Sequence, residues 1–149
     1  LKGSNTMAKK GKIYALKAEE RDDYSFEFVS GRHHLLMSKT MKNNEMPVTW
    51  FSPVDLFFSG VAGCLGMTIR ATMEERNLSY ESLRIEIESA IPEESEVFAF
   101  RNVKTKVFMK TSASLEDVKS VVEESEATCA VRSTIDHHPN FETEVFLEE

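Results

Sequence analysis

The amino-acid sequence predicts an α+β fold with a mainly antiparallel sheet. Three observations carry that prediction: a long apolar helix pattern after Ser52-Pro53, alternating strand patterns on either side of it, and a second helix start at Ser114. The resulting order is strands, long helix, strands, helix, strand, with no βαβ alternation that would call for a parallel sheet. A chain of 149 residues, 41% hydrophobic and 29% charged, suits one soluble domain with a real core. No repeat, low-complexity tract or linker divides it. Leu1–Thr6 reads as a vector-derived leader ahead of Met7, so a single domain is expected over 7–149.

The opening third reads as a β-meander. Ile13–Ala18 and Ser25–Val29 are strand candidates around the charged turn Glu19-Glu20-Arg21-Asp22-Asp23, and Gly31–Met37 is a third. Ser52-Pro53-Val54-Asp55 is a helix start, with Ser as N-cap, Pro at the first helical position and an acid facing the positive end of the helix dipole. Nothing stops that helix before Asn77-Leu78-Ser79. Its first half is apolar on every face (Leu56, Phe57, Phe58, Val61, Leu65, Met67, Ile69), which predicts burial on all sides. Gly60, Gly63 and Gly66 each cost about 1 kcal/mol relative to Ala in a helix interior. Glycines at such a cost point to close approach of another backbone, either a second helix or a second subunit on that face.

Beyond the helix, Leu83, Ile85 and Ile87 alternate with charged residues as in a half-buried strand. Pro92–Glu96 is a turn, and Phe98–Lys110 the return strand. Phe98 and Phe100 are out of phase with Val103, Thr105, Val107 and Met109, which predicts a bulge near Arg101-Asn102. Ser114 caps a second helix, with the apolar stripe Leu115, Val118, Val121 and Val122, ending just before Cys129. Alternation over Phe141–Leu147 predicts a last strand.

A net charge of −7 without a Lys/Arg stripe argues against nucleic-acid binding. The apolar stretch Phe57–Ile69 is too short and too rich in Gly for a confident membrane span, and no secretion signal is visible. The expected compartment is therefore the cytoplasm, where thiols stay reduced. There, two cysteines are either inert core residues or redox groups. Cys64 and Cys129 stand 129 − 64 = 65 residues apart, which is neither a CxxC motif nor a zinc ligand set. Free Cys is among the most buried residue types, so position alone leaves both readings open.

The surroundings of the cysteines add specificity. The segment Ser52-Pro53-Val54-Asp55-Leu56-Phe57-Phe58-Ser59-Gly60-Val61-Ala62-Gly63-Cys64 resembles the stretch of the OsmC/Ohr family in which a Pro-led helix carries a reactive Cys. The similarity continues through Thr68 and Glu74–Leu78 into the strand Leu83–Glu88. Ala127-Thr128-Cys129-Ala130-Val131-Arg132-Ser133-Thr134-Ile135 resembles the second family signature, Cys-Pro-Val-x-x-Thr-[LI].

The resemblance covers Arg21 to the C-terminus and implies an intertwined homodimer with antiparallel sheets packed around long central helices. It also implies thiol peroxidase chemistry on organic hydroperoxides. Cys64 would be the peroxidatic thiol and Cys129 the resolving one, closing a Cys64–Cys129 disulfide that an external dithiol, of lipoyl type, reduces. No cofactor or metal is called for. The family also uses an Arg and a helix-borne acid. Arg21 matches the Arg position with a short gap, and Arg32 is a second candidate.

Two departures stand out. Val54 occupies the place of the acid after Pro, and Asp55, one residue on, is turned about 100° around the helix and suits a cap. Ala130 replaces the Pro after the second Cys. The runner-up reading is a non-catalytic binding protein on the same scaffold.

Two other groups of residues invite a function. His33-His34 and His137-His138 can each lend at most one ligand to a site, since neighbours on a strand point to opposite faces, and they read as surface residues. Trp50, Phe51, Phe57 and Phe58 are either core or the lining of an apolar pocket near the helix start.

Overall fold

A computed structural model describes residues 10–21, 25–38 and 51–148. Its first element is a three-stranded antiparallel meander, β1 (Lys17–Glu20), β2 (Ser25–Ser30) and β3 (His33–Ser38), in the order β1-β2-β3. Phe26 and Phe28 share one face of β2, as the period of two requires, with ring centroids 6.4 Å apart. Gly31, at φ +60°, makes the tight β2–β3 turn that brings Ser30 opposite His33.

The first strand begins later than its apolar residues suggest. Register with β2 runs from Lys17 opposite Val29 to Glu20 opposite Phe26, so Glu19 and Glu20 lie in the strand rather than the turn. Ile13, Tyr14 and Leu16 precede it and are exposed. The partner strand sets the limits here: a strand forms where the neighbouring ladder reaches, and β2 ends at Ser30.

Helix α1 spans Pro53–Glu75. Its start is a reciprocal capping box: the Ser52 amide donates to Asp55 Oδ2 at 2.8 Å, and the Asp55 amide donates to Ser52 Oγ at 3.1 Å. Its end is a left-handed cap. Asn77 takes φ +54° while the Leu78 amide donates back to the Met73 carbonyl at 2.9 Å. The chain divides into two compact units, Leu1–Gly60 and Val61–Glu149, and the boundary falls inside α1.

The second unit carries the core. Strands β4 (Tyr80–Ala90) and β5 (Arg101–Thr111) form a long antiparallel hairpin. The register slips between Glu88↔Lys104 and Ala90↔Arg101, placing the extra residue on β5, where Asn102 adopts φ +53°. This is the bulge that the change of phase around Phe100 called for. A second slip lies at Glu81. Leu83, Ile85, Val107 and Met109 pack with Leu65, Ile69 and Met73 of α1, while Arg84 turns outward and stacks 4.0 Å from the Phe108 ring centre.

Helix α2 (Leu115–Thr128) adds Val121 to the same cluster. Arg76, just beyond α1, ties α2 down through a 3.0 Å hydrogen bond to Ser120 Oγ and an ion pair with Glu124. Leu115, expected on the apolar stripe, is exposed instead.

The cover expected on every face of α1 comes only in part from this chain. Burial of α1 covers one face only: Leu65, Thr68, Ile69, Thr72 and Met73 are buried, whereas Val54, Phe57 and Met67 stay exposed. The glycines divide accordingly. A Cβ on Gly66 would touch Ile85 Cδ1 at 3.4 Å, but one on Gly60 or Gly63 would meet nothing within 4 Å, so no second helix of this chain covers them among the described residues.

A short third helix, α3 (Ala130–Asp136), follows Cys129, supported by the i,i+4 pair of Arg132 with Asp136. The strand expected over Phe141–Leu147 does not form: Phe141, Val145, Phe146 and Leu147 are exposed, and no strand among the described residues pairs with them. Alternation supplies a face but not a partner, and a strand without a ladder leaves its backbone groups to water.

Candidate functional site

The described fold brings together two of the residues singled out in the sequence. Cys64 sits midway along α1, half-buried, and Cys129 is the single non-helical residue between α2 and α3 (φ −69°, ψ 113°), only 1% exposed. Because α2 lies on α1 through Val121 and the Arg76 clasp, its C-terminal end delivers the second thiol to the first. The two side chains come near enough for Cys64 to raise the Cys129 thiol. Both cysteines are free of any disulfide.

Burial pushes the Cys129 thiol up from its ordinary range, and the hydrogen bond and charge of Cys64 push it further. The amides of Arg132 and Val131, in the first turn of α3, pull the other way. Burial prevails, so Cys129 holds its proton. The pair is asymmetric: a buried, protonated thiol beside a more accessible one.

Buried hydroxyls lie one helical turn from each thiol in sequence. Thr68, one turn beyond Cys64, donates to the Cys64 and Leu65 carbonyls at 3.0 and 2.9 Å and pins the turn that carries the thiol. Ser125, one turn before Cys129, lies 2.7 Å from the Val121 carbonyl and 3.3 Å from Thr72 Oγ1, joining α2 to α1 in the interior. Sequence reasoning missed Ser125 and Thr72. Their signal was spacing, since Ser125 continues the stripe at i+4 from Val121, but a Ser between Glu124 and Glu126 reads as solvent-facing.

The remaining candidates belong to the first unit. Arg21 follows β1 and pairs with Glu27 at 3.2 Å, and Glu27 also holds His34 at 3.1 Å. Arg32 lies exposed in the β2–β3 turn. Asp55 is held below the usual carboxylate range by the hydroxyl and amide of Ser52, the mark of a helix cap. Phe57 and Phe58 meet edge-on at 5.2 Å, while Trp50 lies outside the described residues. Among the described residues no group of three His, Cys, Asp or Glu side chains could hold a metal, and the His33-His34 and His137-His138 pairs lie exposed.

Most of the chain matches a known domain. The OsmC-like protein profile matches residues 44–144 of the 149. The chain belongs to the OsmC-like family. Among solved structures, the OsmC-like protein of Mycoplasma pneumoniae superposes with a TM-score of 0.76 at 16% identity, covering 86% of this chain and 90% of that one.

An organic hydroperoxide resistance protein OsmC from Legionella pneumophila gives 0.60 at 17% identity, covering 85% and 91%. One from Elizabethkingia anophelis gives 0.59 at 12%, covering 83% and 90%. At these identities the likeness concerns the fold. No curated protein sequence matches the chain.

Proposed function

We propose that this OsmC-like protein is a cytoplasmic, homodimeric thiol peroxidase acting on organic hydroperoxides. The observation that carries the reading is the meeting of Cys64 and Cys129 from distant parts of the sequence at one point of the second unit. Their asymmetry divides the roles. Cys64, the more accessible thiol, attacks the terminal peroxide oxygen as its thiolate. The O–O bond breaks, the alkoxide takes a proton and leaves as alcohol, and Cys64 becomes a sulfenic acid. Cys129, protonated and adjacent, then condenses with it, forming the disulfide and releasing water.

An external dithiol, of lipoyl type, returns both thiols and is itself oxidised. The thiolate requires a neighbouring cation, a role we assign to Arg21, with Arg32 as second candidate; Asp55 is left with its capping role. The Legionella and Elizabethkingia relatives, which are named for hydroperoxide resistance, support the substrate class. The exposed Phe57 and Met67 beside the open Gly60 and Gly63 support a second copy on that face of α1.

A second reading, a binding protein with chemically ordinary cysteines, draws on Val54 in place of the family's acid and on the engagement of Asp55 in the helix cap. Thiol counting separates the two. Reduced protein treated with one equivalent of cumene hydroperoxide is expected to lose both thiols per chain. Cys64→Ser should abolish the loss, and Cys129→Ser should leave a sulfenic acid that dimedone traps. Thiols that survive the treatment intact would overturn the proposal.

A further inference from the structure

We propose that Ser125, through its buried contact with Thr72, is a positioning residue that sets how fast the Cys129 thiol closes on Cys64, a role that rests on Cys129 as the resolving thiol. Two faces of the second unit carry it. On α1, Cys64, Thr68 and Thr72 follow one another at intervals of four residues, and both threonines are buried. On α2, Val121 and Ser125 are followed at the same interval by Cys129, which ends the helix, and none of the three is more than 1% exposed. Residues four apart lie one above the other on a helix, so each set forms one stripe.

Two contacts fix how the stripes meet. Arg76, just past α1, donates to Ser120 Oγ at 3.0 Å and pairs with Glu124. One turn back along α1, Thr72 Oγ1 lies 3.3 Å from Ser125 Oγ. As α2 ascends from Ser120 to Ser125, its partners on α1 descend from Arg76 to Thr72, so the helices run antiparallel. One further turn brings Cys129 to the level of Thr68, beside the turn that carries Cys64. The influence of Cys64 on the Cys129 thiol agrees with this register.

A hydroxyl is a poor choice for packing alone at so buried a place. Ser125 satisfies its oxygen on the Val121 carbonyl at 2.7 Å, and its contact with Thr72 is the part that reaches across to the other helix. Apolar contacts are non-directional, whereas a hydrogen bond has a preferred length and direction. The contact therefore holds the register of α2 one turn from the resolving thiol. A disulfide is equally demanding, since its Cα atoms must come within about 4.4–6.8 Å of each other.

Reduced full-length chain treated with the aromatic disulfide dithiobis-nitrobenzoate reads the closing step directly. The Cys64 thiolate attacks the reagent, one coloured thionitrobenzoate leaves, and a mixed disulfide remains on Cys64. The Cys129 sulfur then attacks the Cys64 sulfur: the Cys64–Cys129 bond forms, the second thionitrobenzoate leaves, and the thiol proton goes to solvent. This second release is intramolecular, and its rate does not depend on the reagent's concentration. Thr72→Val keeps the branched shape and removes the hydroxyl. It is expected to leave the first release unchanged and to slow the second by about tenfold, inside the roughly 100-fold that a misplacement of about 1 Å can cost.

Ser125→Ala should match Thr72→Val, and the two together should be no slower than either alone, because both remove one contact. Thr72→Ser, which keeps the hydroxyl, should restore the wild-type rate. A second release as fast in Thr72→Val as in wild type would overturn the proposal, as would a wild type that makes no second release. Equal slowing of both releases would overturn it too, since that marks a loss of general stability. Circular dichroism verifies that each variant is folded, and if Ser125→Ala fails this check the Thr72 variants decide. Thiol loss to cumene hydroperoxide is measured separately on wild type. A chain that closes its disulfide with the aromatic reagent yet ignores peroxide fails the peroxidase reading and not this one.

Discussion

Cys129 couples its surroundings to pH in a direction that follows from burial. Its thiol titrates higher in the folded protein than the ordinary value of about 8.5. An acid with a raised folded pKa contributes stability in full below its unfolded pKa, because the folded state keeps the proton that the unfolded chain would lose. That contribution disappears as pH rises from the ordinary thiol range through the raised folded value. Urea midpoints measured from neutral pH upward should therefore fall across the alkaline range, and Cys129→Ser should flatten the fall.

An unchanged slope in the variant would show that other groups govern the alkaline limb. Both cysteines were legible in the sequence from their settings, Cys64 within a Pro-led helix and Cys129 just past a capped one. The buried hydroxyls beside them were not. A hydroxyl carries no sign of whether it faces water or satisfies itself on a carbonyl one turn back, as Ser125 does on Val121.

Helix ends are the elements that the sequence predicts best, because caps are local chemistry. Ser52 and Ser114 both sit three residues before an acid, and both form the expected bonds; Ser114 Oγ accepts from the Asp117 amide at 3.1 Å. Ser114→Ala is expected to cost about 1 kcal/mol. For a chain of this size that should lower the melting temperature by about 2–4 °C in calorimetry, while Ser114→Asp should restore most of it. A shift indistinguishable from zero would mean that packing through Val121, not the cap, holds α2 in place.

Strand limits were less legible, for a physical reason visible at both ends of the chain. Ile13–Leu16 and Phe141–Leu147 have strand-like composition, yet neither is a strand among the described residues, since a ladder needs a neighbouring strand that composition cannot supply. Helix α3 was missed because Ala130 is an unmarked first residue; only the Arg132 and Asp136 spacing announced it.

At the scale of the molecule, the open question in the sequence was what covers the glycine face of α1, and a single chain divides the answer. Gly66 is used internally against Ile85, whereas Gly60 and Gly63 remain open. In an isolated chain, Gly60→Ala with Gly63→Ala should raise helix stability by about 1 kcal/mol per site. If a second copy seats its backbone there, the same change should instead loosen the assembly. Sedimentation of the double variant alongside wild type reads the sign, and we expect a shift from dimer towards monomer. A wild type that sediments as monomer would remove the reason for those glycines.

The meeting of Cys64 and Cys129 depends on the whole second unit being folded. They sit on opposite sides of the hairpin in sequence, and only α2 lying on α1 closes the distance. In a denatured molecule the partnership vanishes and two solitary sulfhydryls remain, each no more reactive than any other. Whatever chemistry the pair performs is thus switched off by the first local melting of α2. Cooperation between the two sulfurs therefore reports that the second unit is folded.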